Sequence, residues 1–119
     1  MSSGHPLDVT LTLTNHGEPV SDPIIGLAIH RVADGVISYD TSTDSAGLRL
    51  GTVSDRRTVT VHLDRLDLTP NDYVVDVGVY EPGWQFAYDF HWNAYPLRVV
   101  GGRGDKGILQ PPTRWHVGA

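Results

Sequence analysis

The chain has 119 residues, 39% hydrophobic and 19% charged, which suffices for one buried core and leaves too little for a second. Its formal net charge of −5, with acids and bases interspersed, argues against a nucleic-acid backbone as partner. The absence of cysteine excludes disulfides, thiolate metal sites and a cysteine nucleophile, and is compatible with a cytoplasmic location.

No apolar run approaches the roughly 20 residues that cross a bilayer, and no basic then apolar leader opens the sequence. Met1-Ser2-Ser3-Gly4 reads as a linker remnant ahead of the fold, leaving residues 5–119 as a single domain. From there a period of two dominates. Leu7, Val9, Leu11 and Leu13 alternate with Asp8, Thr10, Thr12 and Thr14, predicting a strand with one wet and one buried face. Each such aliphatic contributes ~1.5–3 kcal/mol when fully buried, so the register is well specified.

Asn15-His16-Gly17 breaks the pattern as a turn. Pro23 opens a second strand whose large apolar set is Ile25, Leu27 and Ile29. Ala33-Asp34-Gly35 is a hairpin-type turn into Val36-Ile37-Ser38-Tyr39. Residues 41–57 read as a loop with one short strand. Val59, Val61 and Leu63 then alternate with Thr58, Thr60 and His62. Pro70-Asn71-Asp72 is a predicted turn, followed by Tyr73, Val75, Val77 and Val79 alternating with Asp76, Gly78 and Tyr80.

Residues 84–92 are dense in aromatics, and Tyr95-Pro96-Leu97-Arg98-Val99 ends as a strand. Gly101-Gly102-Arg103-Gly104-Asp105 is a glycine-rich connector, in which the Arg-Gly-Asp tripeptide reads as linker and not as an adhesion motif. Trp115 falls on a short final strand. Short strands, regular turns and no helical period predict an all-β, antiparallel two-sheet sandwich.

Catalytic signals are weak. There is no G-x-S-x-G elbow. A glycosidase needs two carboxylates at a fixed separation, and nothing in the spacing selects Asp76 and Asp89 for that role. The six histidines, His5, His16, His30, His62, His91 and His116, lack metal-ligand spacing, so neither a metal nor a cofactor is expected.

A binding signal is stronger. Gly26 and Ala28 in one strand and Gly78 in another make the outward positions small, and glycine inside a strand marks close approach of a ligand or another backbone. His30, Asp76 and Tyr80 share that parity. A trough floored by small residues and rimmed by rings and polar groups suits a sugar, which offers an apolar C–H face and many hydroxyls. Trp84, Tyr88, Asp89, His91 and Trp92 add both kinds of group. Phe86 and Phe90 are expected in the core, with Trp115 a further core candidate. For Asp89, a turn or capping role competes with ligand contact.

Several segments together resemble one family. Asp22-Pro23-Ile24-Ile25-Gly26-Leu27-Ala28-Ile29 with Asp34-Gly35 and Tyr39-Asp40-Thr41, then Leu66-Asp67-Leu68-Thr69-Pro70-Asn71-Asp72-Tyr73, then Tyr88-Asp89, Leu97-Arg98-Val99, Gly107 and Trp115, follow its motifs in order. The family is the C-terminal glycan-binding domain of the ATP-binding subunit of O-antigen polysaccharide ABC transporters (Wzt-type), and the likeness runs over about residues 7–117.

The resemblance implies an immunoglobulin-like sandwich that is not an enzyme and that recognises a finished, lipid-linked polysaccharide in the cytoplasm, at the inner face of the membrane. It also implies a homodimer with exchange of a C-terminal strand. Asn71 stands where the family has glycine, which is tolerable because asparagine also accepts positive φ. Asp40 stands for the usual asparagine, and the strand that normally precedes Leu7 is missing. The chain carries no G-x-x-x-x-G-K-[ST] ATPase motif. Two other readings compete with glycan binding: an immunoglobulin-like structural or protein-interaction domain, and a small sandwich glycosidase or lyase.

Overall fold

The structure, a computed structural model, describes residues 1–101 and 107–117. Most of the glycine connector, including Arg103-Gly104-Asp105, lies outside the described residues.

Eight strands and no helix are present among the described residues: β1 (Leu7–Thr14), β2 (Val20–Ser21), β3 (Ile24–Arg31), β4 (Ile37–Ser42), β5 (Thr52–Val53), β6 (Arg56–Leu63), β7 (Asn71–Tyr80) and β8 (Ala87–Val99). They form a four-stranded sheet in the order β4-β3-β7-β8, a two-stranded sheet β1-β6 and a small β2-β5 ribbon, every pair antiparallel.

The alternation read in the sequence decides the layering. Inward residues of β3 and β7 (Leu27, Ile29, Tyr73, Val75, Val77) join Leu66, Leu68 and Val99 in one buried cluster. Leu7, Val9 and Leu11 of β1 and Val61 and Leu63 of β6 pack against it from the second layer. The predicted sandwich is therefore the observed one, with its core between β1-β6 and the inner face of the large sheet. Tyr73 is 1% exposed, and its hydroxyl donates to the Thr69 carbonyl at 2.8 Å. This tethers the turn before β7, the arrangement a tyrosine corner makes in immunoglobulin-type sandwiches.

Several local expectations are corrected. Residues 1–4 are not ahead of the fold but built into it. Ser3 N donates to Val100 O, Val100 N to Met1 O and Gly4 N to Leu66 O, while Met1 packs on the core. Asn71 and Asp72 already belong to β7, paired with Val99 and Arg98, so Asn71 needs no positive φ. Thr41 and Ser42 extend β4. Trp115 lies in no strand and is 87% exposed, and Phe86 and Phe90 are half-exposed at 57% and 47%. The segment that does dock is 107–110, where Thr69 N donates to Ile108 O and Gln110 N to Asp67 O.

Candidate functional site

The outer face of the large sheet is set by the odd-even pattern of three strands. In register, Gly26 faces Gly78 and Ala28 faces Asp76 across β3-β7, while Ala28 faces Asp40 and Gly26 faces Ser42 across β3-β4. Phe90 faces Gly78 from β8. The result is a trough of about 630 Å³, lined by Gly26, Ala28, Asp40, Asp76, Gly78 and Tyr80 and walled by Ile37, Trp84, Phe90 and Trp92.

The two glycines do not themselves meet the solvent as a bare floor. A Cβ on Gly26 would stand 3.2 Å from Tyr80 Cε2, because the Tyr80 ring folds back along β7 over both glycines. Their lack of side chains thus seats an aromatic ring, and that ring becomes part of the floor. Tyr80 packs on Trp84 with centroids 4.9 Å apart and on Phe90 at 6.2 Å. Burial, and then the Asp76 carboxylate, push the Tyr80 phenol above its ordinary value, so it stays protonated and can donate.

At one end, His30 Nδ1 and Asp76 Oδ2 are 2.8 Å apart, with side chains only 12% and 9% exposed. The His30 ring lies nearly parallel to Trp92, 22° between planes and 6.2 Å between centroids. This holds the most exposed wall residue, Trp92 at 66%, against a fixed support. At the other end, Trp84 Nε1 donates to Asp44 Oδ2 at 3.0 Å, tying the loop before β8 to the loop after β4. Trp84 has φ of 60°, a conformation that costs a non-glycine residue roughly 1–2 kcal/mol. The Glu81 carboxylate stabilises the loop by accepting Gly83 N at 2.9 Å and Gln85 N at 2.7 Å.

Of the residues selected from sequence, His30, Asp76, Tyr80, Trp84 and Trp92 converge here with Gly26, Ala28 and Gly78. Tyr88, Asp89 and His91 do not. Between Val79 and Tyr80 the strand β8 spends two residues, from Asp89 to Ala87, on one of β7. This two-for-one bulge takes Tyr88 off the outer face, to line the gap between the layers with Val79 and Asp89. His91 joins Asp89 and Tyr95 along the same inner side, with His91 Nε2 at 3.3 Å from Asp89 Oδ2 and Nδ1 on the Tyr95 hydroxyl. Asp76 and Asp89 consequently sit on opposite faces of one sheet and cannot flank a single glycosidic bond. No cluster of three metal-ligating side chains occurs among the described residues.

Sequence reasoning missed Phe90, Asp40, Asp44 and Ile37. Phe90 shares parity with Trp92, which was the available signal. The β4 and loop residues required a register that only long-range pairing supplies.

A family model described as the Wzt C-terminal domain matches residues 1–111. Among solved structures, a crystal structure of the C-terminal domain of wzt superposes with a TM-score of 0.82 at 17% identity, over 98% of this chain and 72% of that one. At that identity the superposition speaks for the fold. A search among curated proteins found no match.

Proposed function

The chain belongs to the Wzt C-terminal domain family, and we propose that it is a non-catalytic carbohydrate-binding module holding an O-antigen-type polysaccharide for export by an ABC transporter. The observation that carries this reading is the open trough on the outer sheet face. Three rings, Trp84, Phe90 and Trp92, wall a floor made by the Tyr80 ring on its glycine seat, with Asp40 and Asp76 beside it. A pyranose lays its C–H face on a ring and directs its hydroxyls to acceptors beside it. The rings are held in place before any ligand arrives, by Asp44, by His30 and by the glycine seat, which limits the ordering cost of binding.

The module works at the inner face of the cell membrane through its parent transporter; no helix among the described residues is long and apolar enough to cross a membrane itself. A homodimer with an exchanged C-terminal strand suits such a role, since two weak sites on one polymer gain avidity. Two features support it. Residues 111–117 run outside any sheet, with Trp115 and Val117 exposed. The gap beside β1, lined by Leu11, Leu13, Val75, Val77 and Val79, is open to a further strand.

The test is titration with O-polysaccharides of defined repeat, including that of the strain encoding the chain, followed by tryptophan fluorescence. A saturable change that Trp92→Ala weakens is expected. Silence across the set would overturn the reading, and turnover of any polymer would overturn its non-catalytic part.

A further inference from the structure

The charge of the trough goes beyond the presence of a glycan site and selects among glycans. Three carboxylates line it, Asp40, Asp44 and Asp76, and none of the described residues that line it is lysine or arginine. His30, beside the lining, is already engaged with Asp76. Arg31 is paired with Asp34 and Arg49 with Asp22, away from the lining. The other polar side-chain groups of the lining are the hydroxyls of Thr41, Ser42, Ser45 and Tyr80 and the indole N–H groups of Trp84, which donates to Asp44, and Trp92. The carboxylates alone would not make a site; the ring-walled trough does, and they set its chemistry.

An ionised carboxylate accepts hydrogen bonds and donates none. It accepts hydrogen bonds donated by the hydroxyls of a neutral sugar, often two from adjacent hydroxyls, and it pairs with an ammonium. Against a uronate, phosphate or sulfate it offers only like charge at close range. Such juxtaposition works as discrimination against the wrong ligand.

We infer that the trough takes polysaccharides whose contacting sugars are neutral or amino-bearing, and rejects those carrying a carboxylate, phosphate or sulfate at the contact. The inference rests on the proposed glycan-binding reading and narrows its substrate class. Asp40 and Asp44 are the residues that enforce the selection, because both are exposed to an incoming sugar, whereas Asp76 is held beneath with His30.

The experiment uses an array of purified bacterial O-polysaccharides with neutral and acidic repeats, the encoding strain's own among them. Each acidic polymer is also presented after carboxyl reduction, which removes the charge and keeps the linkages. Binding is expected for neutral and carboxyl-reduced polymers, with the acidic forms weaker by about tenfold or more. The double variant Asp40→Asn, Asp44→Asn should narrow that gap, since each amide keeps an acceptor oxygen and loses the charge. Residual binding of acidic forms should strengthen with added NaCl, which screens repulsion. Equal or tighter binding of an acidic polymer relative to its reduced form would overturn the charge selection and leave the glycan site standing. Failure of every polymer to bind would remove the glycan site itself, and this inference with it.

Discussion

Gly78 and Tyr80 compete for one volume on the outer face of β7. A Cβ at position 78 would lie 2.5 Å from Tyr80 Oη, 2.6 Å from Cζ and 2.7 Å from Cε2. Gly78→Ala therefore expels the ring from its seat or strains the strand. The expected cost is about 1–3 kcal/mol, the range for overpacking, read from urea denaturation. In a Tyr80→Ala background the same change should cost much less, because the competitor is gone; equal costs in both backgrounds would refute the seat. Gly26→Ala, with 3.2 Å to the same ring, should be milder.

Tyr73→Phe removes the buried hydroxyl that donates to Thr69 O and also contacts Thr69 Oγ1 at 3.3 Å. The Thr69 carbonyl loses its donor in a region that excludes water. A loss of about 1–3 kcal/mol is expected, with the trough unaffected: glycan affinity of the folded variant should match the wild type.

His62 gives a pH signature outside the trough. Its imidazole hydrogen-bonds Asp8 across β1-β6 and lies 3.1 Å from Asp64. The hydrogen bond to Asp8, then the attraction of that carboxylate, raise the His62 pKa above its ordinary value of about 6.5. A raised folded value means the pair's contribution is complete below about 6.5 and is lost as pH climbs through the folded value. An NMR titration should place His62 above 6.5, and Asp8→Asn should bring it down. The side chains are exposed, so the accompanying stability change is small.

The three tryptophans should report separately. Trp84 and Trp92 line the trough, while Trp115 is 87% exposed, lies in no strand and does not line it. Variants retaining a single tryptophan, titrated with a bound polysaccharide, should respond at positions 84 and 92 and stay silent at 115. A response confined to Trp115 would move the site to the C-terminal segment.

The fold was largely legible because alternation is a local signal. Leu7 to Leu13, Val59 to Leu63 and Tyr73 to Val79 each declare a buried face without help from distant residues. The floor of the site followed from the same parity. What stayed hidden depended on pairing between strands. The two residues that β8 spends against Tyr80 reverse the parity of Tyr88 relative to Phe90, and no composition signal marks the bulge. Phe90, hydrophobic enough for a core, faces outward because the position opposite is Gly78. Met1 to Gly4 carry no alternation; their role comes from backbone hydrogen bonds to Val100 and Leu66, from the Ser3 hydroxyl on Leu68 O and from Met1 against the core.

The large sheet keeps its two duties on two sides. Leu27, Ile29, Val75 and Val77 cement the layers from within, while Ile37, Asp40, Phe90 and Trp92 project away from them. On the proposed glycan-binding reading, selection can rewrite the second group for a new polymer without touching the first, provided the Gly26–Gly78 cradle is retained. Libraries that randomise the outward quartet alone should yield many folded variants with altered sugar preference, making this scaffold an amenable starting point for tailored glycan reagents.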